Sequence, residues 1–518
     1  MKGDSRTKKS MLNVRINLIC YLVSLVVSFF TRKVFLDCLG KEFMGYTTTV
    51  SSLLSFLNLA DLGIGTAIAF LLYKPLFDGD KNRINELISV FGYLYRIVGF
   101  VILGAGIVLA FFLPLIFAHT TLSWFTIYFG YAAFLFASLL SYFVNYRMSL
   151  LSADQRNYEV TGYHQIVSSG TSIIQMILAL HFKSFTLYLS IEIIRGIVYS
   201  FILRWRVNKV YPWLKSDIKL GRKVFKKYPE IARYIKQIFF HRIGSFVQFQ
   251  TMPMLIYAFS SLTSVTLYTN YTIVTDKIRN FLNGILNSTN AGIGSLIAEG
   301  DSKKILSTYN GILGINAFVA GLFSTSIYYL ITPFVCVWLG TEYEMSNLIV
   351  FLICLQCYMA LYRLATDQFI AGYGLFFDIW APIVESAILI GASIFFGNLW
   401  GLEGVIMGPI LSTGLIIYIW KPVLLFRYGM HLPVIRYWFL FLLNILPTIV
   451  GYFIARYVSE MIFSRDWISQ GWRNWIAGSC LFACVNFILT AAGFMIINPN
   501  MRELSRRMIL KRMVKTVK

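Results

Sequence analysis

Ionisable residues stand inside long apolar segments of this 518-residue chain, where a charge is costly. The clearest group is Asp276, Lys277 and Arg279, within a predicted helix over 265–297. Each charge at the centre of a bilayer costs about 2.5–3.5 kcal/mol on insertion scales. These side chains are therefore expected to face water or one another. They would either line a polar path through the membrane or form a structural Asp276–Arg279 pair that holds helices together.

Polar side chains extend this pattern along three predicted helices, because steps of three and four residues keep side chains on one helix face. The three stripes comprise Asn13, Asn17, Tyr21, Ser24, Ser28 and Arg32; Thr47, Ser51, Ser55, Asn58 and Asp61; and Thr269, Thr272, Asp276, Arg279, Asn283 and Asn287. Further charged candidates are Arg242, Arg363, Asp367 and Glu385. Glu192 and Arg195 are three residues apart, which predicts a local structural pair instead.

Catalytic motifs are absent from the sequence. It has five histidines and no HExxH, GxSxG or GxxxxGK[ST] motif, so neither an enzyme nor ATP-driven pumping by this chain is expected. Cys354 and Cys357 have metal-site spacing but lie in an apolar helix without a second ligand pair, so no metal is predicted. No cofactor is expected. Coupling to H⁺ or Na⁺ stays open, and its candidate residues are Asp61, Asp276, Asp367 and Glu385.

The elements that position these residues are membrane-spanning helices. The chain is 57% hydrophobic and 14% charged, whereas soluble domains are about one quarter charged. Apolar runs of spanning length predict an all-α polytopic membrane protein with about fourteen transmembrane helices. The predicted spans are 13–36, 44–73, 88–117, 122–147, 159–182, 184–205, 236–260, 265–297, 304–338, 346–370, 376–396, 400–420, 433–457 and 472–496.

Charge distribution sets the predicted topology. The net charge of +22 is concentrated in 1–15, 204–236 and 497–518, between or beyond the apolar runs. Such clustering follows the positive-inside rule and predicts that both termini are cytoplasmic. No nucleic-acid-binding module accompanies the charge, so no nucleic-acid partner is expected.

An internal repeat organises the helices. Residues 57–69 match 286–298 at seven of thirteen positions, and a Gly-Asp pair with nearby basic residues follows each copy. The repeat predicts two six-helix bundles related by an axis along the membrane normal, followed by two extra helices. The predicted divisions are an N-terminal lobe over 1–205, a basic cytoplasmic linker over 206–235, a C-terminal lobe over 236–421, and two further helices with a basic tail over 422–518.

Three stretches resemble a known family. They are Thr31 to Leu36, Leu39 to Gly45, and Leu57 to Ala69 with the sequence Asp-Leu-Gly-Ile-Gly at 61–65. With the repeat, they resemble the Wzx-type flippases of lipopolysaccharide and capsular polysaccharide synthesis, in the MOP superfamily. The resemblance implies a pair of bundles around a central cavity and a secondary transporter. It would flip undecaprenyl-pyrophosphate-linked oligosaccharide units (O-antigen or capsule) across the bacterial inner membrane by alternating access.

The resemblance also implies a substrate site. Basic groups would hold the pyrophosphate, while amides and hydroxyls would donate hydrogen bonds to the sugars. The candidates are Arg32, Asn58, Arg242, Lys277, Arg279, Asn283 and Arg363. The lipid-linked oligosaccharide is the expected membrane partner, a polysaccharide polymerase or chain-length regulator is a candidate protein partner, and the chain is expected to act as a monomer.

Three other functions stay open. One is a MATE-like antiporter of cationic drugs, which an acidic, aromatic cavity would favour over the basic lining predicted here. A second is a lipid II flippase. The third belongs to a different class, a membrane-embedded glycosyltransferase or polymerase, and the short outer loops count against it.

Overall fold

The computed structural model of the protein describes residues 6–58, 64–154, 156–227, 231–232, 235, 250–286, 290–375 and 377–503. Helices account for nearly all of these residues, and no β-strand occurs among them. The chain is thus an all-α polytopic membrane protein, as the sequence predicts. It divides into two compact units, Met1–Thr266 and Leu267–Lys518.

The first unit contains nine helices among its described residues and the start of a tenth. They are α1 (Arg6–Leu57), α2 (Ile64–Asp78), α3 (Lys81–Ile116), α4 (Trp124–Phe143), α5 (Met148–Ala153), α6 (Asn157–Phe182), α7 (Phe185–Val210), α8 (Ile218–Lys227), α9 (Met252–Phe259) and the first residues of α10 (Leu262–Leu286).

The second unit continues from α10. Its further helices are α11 (Asn290–Glu299), α12 (Ser302–Trp338), α13 (Asn347–Tyr362), α14 (Leu364–Tyr373), α15 (Trp380–Leu415), α16 (Ile435–Ile462), α17 (Arg465–Ile468) and α18 (Trp472–Ile497). Beyond Leu415, helical and π-helical turns carry α15 on to Gly429.

Within the described residues, ten helices are long and apolar enough to span a membrane. Two of them contain breaks that separate predicted spans: α1 bends at Gly40 (φ 82°), and α15 bends at Trp400 and Gly401 (φ 59°). Helix α10 lies where the sequence predicts another span, and its charged stripe keeps it from that count. The predicted span over 236–260 lies mostly outside the described residues. About fourteen crossings remain consistent with these helices.

Close helix packing in the first unit depends on small residues. Helix α1 packs on α6, and α4 packs on α7. Gly130 in α4 leaves room for the buried ring of Tyr46, whose hydroxyl donates a 2.5 Å hydrogen bond to the carbonyl of Ile127. Small residues at such crossings let neighbouring helices approach closely.

Polar contacts and rings hold the last two long helices in the second unit. Asn486 of α18 donates hydrogen bonds to Thr325 Oγ1 (2.9 Å) and Ser326 Oγ (3.0 Å) of α12. The ring of Tyr329 in α12 stacks on Phe482 in α18 at 4.2 Å. Within this unit, α16 and α18 therefore pack as an integral part of the bundle.

The internal repeat has a counterpart in local structure. Gly79 and Gly300 both have a left-handed backbone (φ 71° and 77°), and the aspartate after each caps a long helix, α3 or α12. A Tyr-Arg pair marks an interruption of the helix in each half, at Tyr146-Arg147 and at Tyr362-Arg363. The two halves thus share chain breaks at corresponding motifs, while the predicted lobe boundaries stay a prediction.

Candidate functional site

Helix α10 carries four of the predicted site residues, Asp276, Lys277, Arg279 and Asn283. Its buried side chains include Asn270, Tyr271 and Thr275, whereas Asp276, Lys277 and Arg279 are only partly buried. Two contacts within the second unit hold the helix. The hydroxyl of Tyr271 accepts a hydrogen bond from the amide of Met345 (3.2 Å), and Gln368 donates one to the carbonyl of Leu286 (3.1 Å). The charged turn thus lies between two fixed ends.

The charged turn contains an ion pair within one helix. Arg279 Nη2 lies 2.8 Å from Asp276 Oδ1, and the side chains are 18% and 49% exposed. A pair at positions i and i+3 contributes only about 0.2–0.5 kcal/mol to a helix and ties no second helix to it. The Asp276–Arg279 pair therefore forms, but this contact does not join helices. The exposure of Asp276 also shows that protein does not fully enclose the pair.

Lys277 and Asn283 flank this pair on α10, and both are half-buried. The Oδ1 atom of Asn283 is buried without a hydrogen-bond partner among the described residues. A buried acceptor without a partner costs about 1–3 kcal/mol. A ligand hydroxyl is one group that would satisfy it.

A second set of predicted residues lies together in the second unit. Arg363 Nε donates to Asp367 Oδ2 (2.8 Å) across one helical turn. Glu385 of α15 interacts electrostatically with both side chains, and its Oε1 atom is buried without a hydrogen-bond partner among the described residues. The structure therefore brings Arg363, Asp367 and Glu385 into one cluster.

Sequence reasoning missed a buried ion pair in the same unit. Lys421 Nζ lies 2.6 Å from Asp378 Oδ2, and Trp420 Nε1 donates to the same oxygen (3.1 Å). Both charged side chains are largely buried, at 16% and 6% exposure. The two residues are 43 positions apart, so no helical spacing indicated the contact. The break in α15 at Trp400 and Gly401 (φ 59°) lies between the two residues, and Gly404 beyond it packs against the backbone of Phe396 before it, so the chain reverses there.

In the first unit, Arg32 of α1 is buried beside the first residues of α10. Its Nη2 donates a long hydrogen bond to the carbonyl of Thr266 (3.4 Å), while the Thr266 hydroxyl donates to the carbonyl of Lys41 (2.6 Å). Arg32 also interacts electrostatically with Tyr188 of α7. The predicted cation is thus placed inside this bundle, and its contact with substrate stays a prediction.

Around Tyr188 lies a polar group on α6 and α7. Glu192 and Arg195 form the predicted local ion pair, which is confirmed. Gln175 donates to Glu192 Oε1 (3.0 Å), a partner that the sequence analysis missed. His164 belongs to the same neighbourhood, because it interacts with Arg195 and packs edge-on against Tyr199.

Asn58 connects helices. Its Oδ1 accepts hydrogen bonds from Ser138 Oγ (3.0 Å) and Tyr142 Oη (3.1 Å) of α4. The predictions for Asp61 and Arg242 lie outside the described residues. Among the residues that the structure describes, no cluster of metal-ligating side chains is found.

One end of the first unit is fastened by a network of charges. Glu159 of α6 accepts two 2.7 Å hydrogen bonds from Arg206 of α7 and one from Arg156 (3.3 Å). Asp154 accepts from Arg156 (3.0 Å) and Tyr211 (2.8 Å). Burial raises the pKa of the Tyr211 hydroxyl, and the Asp154 carboxylate raises it further, so Tyr211 stays a neutral donor.

Solved structures of other proteins share the helical fold of this chain. The chain shares its fold with solved structures of a lipid II flippase and of a MATE family multidrug transporter. No protein-family model matches the chain. No curated protein is significantly similar to it either.

Particular structures give the extent of this likeness. The lipid II flippase MurJ in an inward closed conformation matches with a TM-score of 0.64 and 14% identity, over 93% of this chain and 98% of that chain. An inward-facing multidrug resistance MATE family transporter of the MOP superfamily has a TM-score of 0.53 and 16% identity, over 83% and 96%. A MATE structure in a bent conformation gives 0.50 and 13%, over 82% and 96%.

Proposed function

We propose that the chain is a secondary transporter that flips undecaprenyl-pyrophosphate-linked oligosaccharide units from the inner to the outer leaflet of the bacterial inner membrane. The flipped units would serve lipopolysaccharide, capsule or exopolysaccharide synthesis, as in Wzx-type flippases. The proteins that share its fold are transporters and a flippase, so a role in transport and not catalysis agrees with the fold. Both termini would lie in the cytoplasm, as the basic clusters suggest.

The observation that carries the proposal is the charged turn of α10. Its ion pair lies within one helix, so the contact contributes little to holding the bundle together. Three charges partway along a helix of an otherwise apolar protein are tolerated where water or a polar cargo reaches them. Asp276 remains half exposed, so a polar cargo would be able to reach it. The cationic members, Lys277 and Arg279, would then bind the pyrophosphate.

Neighbouring groups suit the remaining parts of such a cargo. The partly buried amide of Asn283 and the hydroxyls of Thr269 and Thr272 follow the same helix as the cations. Amides and hydroxyls both donate to and accept from sugar hydroxyls, and they tolerate different sugars. Arg32, Asn58, Arg242 and Arg363 remain the further proposed contacts. The polyprenyl tail, being apolar, would stay in lipid while the head crosses.

Ion coupling belongs to the proposal as well. Asp276, Asp367 and Glu385 are carboxylates near cations, and Asp61 is the fourth candidate. A carboxylate that exchanges a proton or Na⁺ as the cargo moves would drive alternating access between inward and outward states. No bound cofactor is proposed. A polysaccharide polymerase or chain-length regulator would receive the flipped units, and the chain would work as a monomer.

Substitution of Arg279 tests the site. Arg279→Gln removes the cation but keeps hydrogen-bonding atoms, and Arg279→Lys keeps the charge without the bidentate geometry. A charge-assisted hydrogen bond is worth about 1.5–3 kcal/mol, so surface polysaccharide should fall about ten-fold or more in Arg279→Gln and less in Arg279→Lys. Arg456→Gln is the matched control, because Arg456 forms an exposed pair with Glu460 within one helix (2.9 Å).

Surface polysaccharide would be measured at matched amounts of protein in the membrane. Wild-type output from Arg279→Gln would remove α10 from the binding site. Equal loss from Arg456→Gln would show that the assay reports general damage. Drug susceptibility of a deletion strain distinguishes the MATE-like alternative from the flippase, because loss of a drug exporter would increase the susceptibility. Loss of viability in a strain without a redundant flippase would favour lipid II as the cargo.

A further inference from the structure

A basic cavity lies within the first unit, apart from the residues of the proposed transport site. Its volume is about 410 Å³. Four cationic side chains and one carboxylate line it: Arg96 of α3, Arg147 before α5, Arg204 of α7, Lys219 of α8 and Asp217. Within the described residues, no carboxylate forms an ion pair with any of these four cations. The lining therefore carries a net charge of about +3, by formal side-chain charges at neutral pH.

The floor of the cavity is polar and buried. Asn145 is 5% exposed, and its side-chain Oδ1 has no hydrogen-bond partner among the described residues. Tyr146 is also buried, and its hydroxyl contacts Arg147 Nε (3.3 Å) and Ser216 Oγ (3.3 Å). A buried amide oxygen without a partner is destabilising, so a ligand that donates a hydrogen bond to it gains affinity. An amide can present either its oxygen or its NH₂ group to a ligand.

The walls of the cavity are held firmly. The chain before α8 is fixed on α3, since the amide of Lys215 donates to Asn85 Oδ1 (2.9 Å) and that of Asp217 donates to Ser89 Oγ (3.0 Å). Gly221 touches the backbone of Ser89, where no side chain would fit. Part of the segment predicted as a linker, 206–235, is therefore a fixed wall that carries Lys219 into the cavity.

Apolar surface lies beside the charges. Phe143, Leu203 and Val207 line the cavity together with the cations. One turn away from Arg96 and Arg204 on their helices lie Phe100 and Phe201, which are 63% and 72% exposed. Large exposed rings on spanning helices face acyl chains in a membrane. A ligand here would meet cations at one end and lipid-facing surface at the other.

We infer that this cavity binds the phosphate headgroup of an anionic membrane lipid, a second lipid site separate from the transport path. Arg96, Arg147, Arg204 and Lys219 hold the phosphate, Asn145 Oδ1 accepts a hydrogen bond from a headgroup hydroxyl, and the acyl chains lie against Phe100 and Phe201. Basic pockets between transmembrane helices on the cytoplasmic side bind anionic headgroups in this manner. The positive-inside rule places this basic end of the unit on that side.

The test uses the purified full-length chain in detergent, titrated with phosphatidylglycerol and, separately, with phosphatidylcholine. Bound lipid is counted by native mass spectrometry. The cavity variant is Arg204→Gln with Lys219→Gln. The control, Lys209→Gln with Lys223→Gln, removes one cation from each of the same two helices at positions that do not line the cavity.

Each cation near anionic lipid contributes about five-fold to affinity, the equivalent of about 1 kcal/mol. The cavity variant should therefore bind phosphatidylglycerol about 25-fold more weakly, while the control changes less than two-fold. Asn145→Leu, which leaves the charge unaltered, should also weaken binding. Equal losses in both double variants would mean a diffuse basic surface and would overturn the site.

The source of the phosphate is tested in parallel with glycerol 3-phosphate. The lipid proposal expects weak binding of this soluble anion, because it lacks the acyl chains. Binding of glycerol 3-phosphate as tight as that of phosphatidylglycerol would assign the cavity to a soluble phosphate compound instead. Equal binding of phosphatidylcholine would also contradict the proposal, since the net positive lining should select an anionic headgroup.

Discussion

The charge network at Glu159 predicts an unusually large effect for a substitution that changes one atom type. Glu159→Gln preserves shape but removes the negative charge that Arg206 and Arg156 share. The Glu159 side chain is 5% exposed and that of Arg206 is 22% exposed. Breaking a buried ion pair by removing one partner costs about 3–5 kcal/mol, and the partial exposure of Arg206 places this case near 3 kcal/mol.

An exposed ion pair provides the comparison for this loss of stability. Glu460→Gln breaks an ion pair with Arg456, and those side chains are 37% and 43% exposed. Such a pair within a helix contributes about 0.3–0.5 kcal/mol. Thermal unfolding of the purified protein in detergent, followed by tryptophan fluorescence, should thus show a several-fold larger decrease in apparent Tm for Glu159→Gln.

A double substitution checks the cause. In Glu159→Gln with Arg206→Gln, the unpartnered guanidinium is removed, so part of the lost stability should return. Equal shifts for Glu159→Gln and Glu460→Gln would refute the claim that burial makes the Glu159 network strong. If the double variant lost more stability than the two single variants lose together, the explanation by an unpaired charge would be refuted.

Three further substitutions have definite expected outcomes. Gly45→Ala should severely reduce the yield of folded protein, because the new methyl group would overlap the carbonyl of Leu262, whereas Gly104→Ala, with open space around it, should leave the yield unchanged; equal yields would contradict this. Asn486→Leu should lower the apparent Tm by the equivalent of about 1–3 kcal/mol, since it leaves two hydroxyls of α12 without their donor, and an unchanged Tm would oppose this reasoning. Lys421→Gln should destabilise by about 3 kcal/mol because it leaves a carboxylate that is 6% exposed without its cation, and a loss below about 0.5 kcal/mol would show that water already reaches that carboxylate.

The fold was largely accessible from sequence because apolar length alone identifies spanning helices. The boundary predicted between the spans over 376–396 and 400–420 corresponds to the break in α15 at Trp400 and Gly401, and the positive φ of Gly401 shows why glycine is needed there. Helix ends were less accessible. The span predicted over 346–370 is interrupted at Arg363. Tertiary contacts, not hydropathy, decide such breaks.

Residues of the site could be predicted from the sequence only where their spacing along one helix places them on the same face. Steps of three and four residues identified the Glu192–Arg195 pair, and the same reasoning named Asp276 and Arg279. The pair of Asp378 and Lys421 was not predicted, because a contact between segments far apart in the chain leaves no periodic pattern in the sequence. The basic cavity was not predicted for the same reason, since its four cations come from four separate segments.

The location of lipid-linked oligosaccharide in a deletion strain tests the proposed function most directly. Lipids would be extracted from cells lacking the chain, and the leaflet of undecaprenyl-pyrophosphate-linked units would be determined by their accessibility to a periplasmic glycosidase. The proposed function predicts that the units accumulate in the inner leaflet, and that the wild-type chain but not Arg279→Gln restores their transfer. Normal transfer of the units to the outer leaflet without the chain would contradict it.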